Sequence, residues 1–298
     1  MIKNILKFFI GVFGFLFILY FSGPQVASPE LYKILPAVPQ DLVELSNWID
    51  TKEAQVEDLK KGNEGRIEFF DSIPQKTEYS VIYFHGFSAS SVEGAPFHTD
   101  VAKHFKANLY LPRLFGHGIG GENPLRDFTA DAYLESAREA LAVAKTLGEK
   151  VIVLGTSNGG TLSLLLGTDP QIVLIGLFSP NIRIKDPNAS LITLPWGLNL
   201  ASFVAGSDYH QMQNVVSPKE NFWTTRYHIQ ALTHVQKLLE VAMTPETFAK
   251  IKVPVFMGYY YKDEANQDDV VSVPAMLEMF EELGTSAAQK EKMAFPET

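Results

Sequence analysis

Residues 8–21 form a run of fourteen uncharged, mostly apolar positions, and Lys3 and Lys7 precede it. The run is apolar on every face of a helix, which predicts a membrane segment and not a core helix. With Ile5 and Leu6 added and Lys7 snorkelling to the interface, it approaches spanning length. Fourteen residues also suit the h-region of a secretory signal. The small residues that follow (Ser22, Gly23, Ala27, Ser28) are interrupted by Pro24 and Pro29, a poor cleavage pattern, so an uncleaved anchor is expected over residues 1–22. The lysine asymmetry places the N-terminus in the cytoplasm and the remaining chain outside it, with secretion after cleavage as the alternative.

Residues 23–60 read as a Pro/Ser-rich linker and a helix over 41–52 with Leu42, Leu45, Trp48 and Ile49 at helical spacing. Strands and helices then alternate. Short β-rich runs occupy 66–70, 79–84, 107–111, 150–154, 172–178, 253–260 and 290–295. Helical patterns fall at 129–147, with Tyr133, Ala137, Leu141 and Ala144 on one face, and at 274–283. The runs VIVLG and IVLIGLF are apolar without alternation, as in strands buried on both faces. An α/β architecture with a mostly parallel sheet is therefore expected, its core split into 61–181 and 251–298 by an insert over 182–250. That insert shows helical pieces such as 225–241 and no convincing strand. Its residues Leu194, Trp196, Leu198, Phe203, Tyr209, Phe222, Trp223 and Tyr227 are expected to pack within it, a few lining an apolar pocket over the sheet.

Composition removes several classes of function. The 298 residues are 46% hydrophobic and 20% charged, a globular balance. Lys and Arg total 25 against 34 Asp and Glu, for a net charge of −9, the reverse of a nucleic-acid binder. There is no cysteine, which excludes disulfides, thiolate metal sites and a cysteine nucleophile. No His/Glu cluster has metal-ligand spacing, so neither metal nor cofactor is expected.

The chemistry concentrates in three segments. Gly155-Thr156-Ser157-Asn158-Gly159 matches G-x-S-x-G between the run VIVL and an apolar helical stretch. A serine on a sharp strand-to-helix turn stands clear of the sheet, and glycines let strand and helix approach. Seventy residues upstream, a strand ends in His85-Gly86-Phe87-Ser88, where a glycine turn can aim an amide inward. The third segment is Pro112-Arg-Leu-Phe-Gly-His-Gly118.

In this order and spacing, the three segments resemble the α/β-hydrolase fold, and most closely its carboxylesterase and monoacylglycerol-lipase group, from about Gly62 onward. The resemblance implies ester hydrolysis, a helical cap over 182–250, Ser157 as nucleophile, and the amides of Phe87 and Asn158 as oxyanion donors. It implies a small-molecule or lipid ester as substrate. It makes His85 and His117 loop-shaping residues and not the base. The family's acid follows the next-to-last core strand, where Asp268 is preferred over Asp263 because an apolar pair, Val270-Val271, follows it at the usual spacing.

One element of the pattern is missing. The family's base lies after the acid, whereas His85, His98, His104, His117, His210, His228 and His234 all precede Asp263. Three readings follow: a truncated relative of a longer esterase, a non-catalytic relative that keeps a ligand pocket, or a cap histidine (His210, His228 or His234) acting from another direction. Truncation is the expectation. Losing one member of a catalytic triad typically costs about 10⁴ to 10⁶ in rate. Amidase and peptidase chemistry remain open on the same fold; a dehalogenase needs an acid nucleophile where Ser157 stands.

Overall fold

Residues Gly148–Thr156 form the central strand of a computed structural model that describes residues 2–213, 215 and 217–297. In chain order, the first half has helices α1 (Ile2–Phe21) and α2 (Leu42–Ala54), strands β1 (Arg66–Glu68) and β2 (Thr77–Phe84), helix α3 (Phe97–His104), strand β3 (Asn108–Leu111), helix α4 (Ala130–Leu147), the central strand β4, helix α5 (Asn158–Leu166) and strand β5 (Ile172–Phe178). The second half has α6 (Gly197–Ala205), β6 (Tyr209–Gln211), α7 (Lys219–Phe222), β7 (Arg226–His228), α8 (Gln230–Ala242), α9 (Pro245–Phe248), β8 (Val255–Tyr260), α10 (Val273–Glu282) and β9 (Lys290–Phe295).

Seven of these strands make one sheet in the order β1-β3-β2-β4-β5-β8-β9, parallel except for β1. Successive side chains of its central strands feed opposite faces. Ile82, Phe84, Val151 and Val153 enter a core shared with α4, α5, α8 and α10. Val81, Tyr83, Ile152 and Leu154 enter a second core under α3. Both faces are thus apolar, which is why VIVL shows no alternation. Each fully buried aliphatic side chain contributes roughly 1.5–3 kcal/mol. β9 forms one edge and is largely exposed along its length.

Helix starts follow local chemistry. Asp41 accepts the amides of Val43 and Glu44 to cap α2, Thr129 accepts Ala132 N–H to cap α4, and Ser272 caps α10. The face of α4 that carries Tyr133, Ala137, Leu141 and Ala144 is buried, as the spacing predicts.

Three expectations need correction. The 182–250 insert is not purely helical: β6 and β7 pair antiparallel as a two-stranded ribbon, with Tyr209 opposite His228 and His210 opposite Tyr227. Strands of three residues are too short to show a period, and aromatic cross-strand contacts hold them instead. The helix expected over 225–241 consequently starts at Gln230. The segment after α1 is not a free linker. The buried guanidinium of Arg138 donates to the carbonyls of Glu30 (2.7 Å) and Leu31 (2.9 Å), and Glu30 N–H donates to Asp131 Oδ1 (2.9 Å).

Candidate active site

Three parallel strands, β3, β2 and β4, lie side by side, and the three motif segments leave from their C-terminal ends. β4 hands the chain to α5 through Ser157, whose backbone sits at φ 51° and ψ −118°, a region non-glycine residues rarely occupy. The bend is fixed on both sides. Ser157 N–H donates to Phe178 O at 2.9 Å, and Ser157 O accepts from Gly160 N–H and Asn181 N–H at 2.9 Å each. Neighbouring glycines are required by space. A Cβ at Gly159 would lie 2.6 Å from the carbonyl carbon of Phe84, and one at Gly155 would lie 2.5 Å from that of Gly159. At Gly160 it would lie 2.6 Å from Pro180 Cβ.

The end of β2 lies directly against this bend. A Cβ on Gly86 would stand 3.4 Å from Ser157 Cβ, so the segment carrying Phe87 passes immediately beside the serine. Among the described residues, neither Phe87 N–H nor Asn158 N–H donates to a protein acceptor. The Asn158 side chain serves the bend: Asn181 Nδ2 donates to its Oδ1 at 2.6 Å, and Thr161 Oγ1 donates to Asn181 O at 2.6 Å. Phe87 is clasped edge-on by His117, Phe128 and Tyr227, with ring centroids 5.5, 5.5 and 5.2 Å away. Through Tyr227 and the bond from Thr224 N–H to Ser88 O (2.7 Å), the insert grips the segment that Gly86 turns.

A carboxylate without any sequence signature completes this wall. Glu93 Oε2 accepts Gly86 N–H at 2.7 Å and Tyr83 OH at 3.2 Å, and Tyr83 OH also meets Thr156 Oγ1 at 2.9 Å. Burial raises the Glu93 carboxyl above its ordinary range, and the bonds from Gly86 and Tyr83 partly offset this. Glu93 thereby ties β2, its turn and the residue before Ser157 into one network.

Two of the buried histidines, His85 and His117, shape loops. His85 meets Gly86 O through Nδ1 and accepts Leu114 N–H through Nε2, while His117 Nδ1 meets Phe115 O. Desolvation lowers their pKa values to about 4 and about 3. The loop that carries His117 is pinned from outside. Arg113 grips Glu53 of α2 with Nε and Nη2 (2.6 and 3.2 Å) and donates to His117 O through Nη1 (3.3 Å). This two-point pairing gives α2 a role at the site.

The candidate acids differ in their commitments. Asp263 is exposed and closes its own turn, accepting from Ala265 N–H, Asn266 N–H and Asn266 Nδ2, bonds that hold its carboxyl below the usual range. Asp268 hangs from the end of β8 through its amide to Tyr260 O (3.3 Å). Its Oδ1 accepts the amides of Val270 and Val271 at 3.0 Å. Among the described residues, neither carboxylate has a histidine partner.

Two clefts of about 480 Å³ flank this region without including Ser157. One begins at Ile182 and reaches Gln236 and Met243; the other lies behind the loop of Arg113, Phe115 and Phe128. The apolar pocket expected from the insert's side chains is not formed by Leu194, Trp196 or Phe203, which are exposed.

Solved structures share this fold. A chain from a study of two metagenome-derived lipolytic enzymes, LipS and LipT, superposes with a TM-score of 0.62 at 17% identity, over 80% of this chain and 89% of its own. The chain has the α/β-hydrolase fold. The same α/β-hydrolase fold relates it to the monoacylglycerol lipase of Paleococcus ferrophilus (TM-score 0.52, 18% identity, 74% and 85% covered). It also relates it to the α/β hydrolase GrgF of Penicillium sp. sh18 (TM-score 0.52, 18% identity, 78% and 84% covered). No family model and no curated protein matches the sequence.

Proposed function

We propose that this chain is a membrane-anchored serine hydrolase for carboxylic esters, with Ser157 as nucleophile. The observation that carries the reading is the strained backbone of Ser157 at the end of β4, set against Gly86; on this reading the amides of Phe87 and Asn158, the residues that follow Gly86 and Ser157, are the oxyanion donors. Ser157 Oγ attacks the acyl carbonyl, and the carbonyl oxygen takes the electron pair and is held by those two N–H groups. The N-terminus of α5 adds partial positive charge there. Collapse of the tetrahedral species expels the alcohol, and water then releases the acyl group from Ser157. The Ser157 proton passes to an imidazole base and from it to the departing alkoxide, and Asp268 is the carboxylate for that imidazolium, since its Oδ1 is occupied by two amides and its Oδ2 faces no such claim. The base is a histidine by the logic of the triad, and none of the seven in the sequence follows Asp268.

α1 is long and apolar enough to cross a membrane and is wholly unburied in the protein, which supports the anchor. Resistance of the membrane-bound protein to carbonate extraction tests that part.

Among the described residues neither Asp263 nor Asp268 has a histidine partner, which favours a second reading, a non-catalytic binder of apolar ligands on the same fold. Hydrolysis of a water-soluble aryl ester, measured while imidazole is titrated in as a substitute base, separates the two. Turnover that rises with imidazole and vanishes in Ser157→Ala supports the hydrolase. Saturable ligand binding with no turnover at any imidazole concentration supports the binder.

A further inference from the structure

The segment between β5 and β6 presents apolar surface outward and is fastened to the end of α1. Residues 187–207, twenty-one in all, carry no charge and are flanked by Asp186 and Asp208. Within this stretch, Trp196, Leu200, Phe203 and Val204 recur at i, i+4, i+7 and i+8 and form one stripe along α6. They are 39%, 55%, 84% and 77% exposed, and Leu191 and Leu194 extend the patch. With Leu200, Phe203 and Val204 make a contiguous exposed apolar surface, the kind that marks an interaction site.

The start of that stripe meets the last turn of α1. Trp196 Nε1 donates to Leu19 O at 2.9 Å, and Trp196 N–H donates to Pro24 O at 3.3 Å. The indole lies so close over Gly23 that a Cβ there would stand 2.8 Å from its Cε2. A twenty-residue helix is about 30 Å long, the thickness of the hydrocarbon layer, so the Leu19–Phe21 turn reaches the interface when α1 spans it. Tyr20 and Trp196 then stand at the depth where amphipathic aromatic rings collect.

We infer that α6 and the loop before it lie in the interface of the same bilayer that α1 crosses, with Leu200, Phe203 and Val204 inserted among the lipid chains. The inference rests on the anchor reading and extends it from α1 to the insert that grips the Phe87 turn. Burial of apolar area, not charge, drives the contact: the patch is uncharged and the whole chain carries −9. It therefore holds on zwitterionic lipid and at high salt.

Because the chain has no cysteine, one introduced thiol is unique. The test uses full-length protein in phosphatidylcholine vesicles with an environment-sensitive fluorophore on Phe203→Cys, on Phe13→Cys within α1, or on Ile73→Cys, an exposed apolar site before β2. The expected result is a blue-shifted emission at 203 that is quenched by lipids carrying a nitroxide near the headgroup. Quenching by aqueous iodide should be several-fold weaker at 203 than at 73, unchanged in high salt. A dry label at 13 with a label at 203 as wet as at 73 overturns the inference and leaves the anchor standing. A wet label at 13 removes the anchor and the inference with it. Shielding at 203 that grows with protein concentration and ignores lipid nitroxides assigns the patch to a second copy of the chain, and also overturns it.

Discussion

Glu93 accepts the amide of Gly86 at 2.7 Å, on the turn that runs beside Ser157. The carboxylate thus sets where the next amide, that of Phe87, points. Glu93→Ala strands the Gly86 N–H and should cost roughly 1–3 kcal/mol in urea denaturation. A displaced Phe87 amide should also slow phosphonylation of Ser157 by a fluorophosphonate by about 10²-fold. Glu93→Gln can present its amide oxygen to both Gly86 N–H and Tyr83 OH, which share Oε2 in the structure, so it should stay close to wild type in both measurements. Equal loss in both variants would show that the negative charge, and not the acceptor, matters.

The bend at Ser157 stores strain that glycine would relieve. At φ 51° and ψ −118°, Ser157→Gly should stabilise the protein by roughly 1 kcal/mol while abolishing acylation. Thermal unfolding beside activity measurement checks it. A Tm lower than wild type would mean that the serine hydroxyl contributes to stability in a way the structure does not display.

Space around Gly159 admits nothing larger. Gly159→Ala drives a methyl into the carbonyl of Phe84, main chain that cannot swing aside, and should cost roughly 3 kcal/mol or more. Gly206→Ala meets open space and only the φ of 65°, so about 1 kcal/mol is expected. Chemical denaturation of the two variants side by side reads the contrast; equal costs would contradict the close approach of β2 and α5.

Acid should destabilise the fold through His85 and His117. Above pH 6.5 both are neutral, folded or unfolded. As pH falls, the unfolded chain binds protons at its ordinary pKa while the folded chain resists until about pH 4 for His85 and about pH 3 for His117. Their contribution is complete above pH 6.5 and is lost progressively down to about pH 3. The slope from these two groups approaches about 2.7 kcal/mol per pH unit near pH 5. Glu93, raised by burial, acts with the opposite sign at the acid end. His117→Gln removes one of the two protons and should halve the slope; an unchanged slope would exclude this origin.

Where the sequence speaks clearly, burial or close packing leaves a compositional trace. The unbroken apolar runs of β4 and β5 record strands covered on both faces, and Gly155, Gly159 and Gly160 record a strand and helix in contact. The strand at 290–295 also lies where the pattern places it. Other features leave no such trace. α3 is only eight residues long and buries His98 and Ala102, too few positions to stand out as a period along the chain, yet it roofs the second core. Glu93, Tyr83 and Asn181 act through individual side-chain hydrogen bonds that follow no helix or strand period, which no local pattern encodes. The docking of Glu30 and Leu31 on Arg138 is of the same kind. The ribbon β6–β7 is too short to have a period.

The central claim is that the Ser157 hydroxyl is the nucleophile. Its most direct test is to treat the full-length protein with a fluorophosphonate, with imidazole present, and to locate the adduct by peptide mass spectrometry. A single adduct on Ser157, absent from Ser157→Ala, is the expected result. An adduct on another residue, or labelling that survives Ser157→Ala, would contradict it.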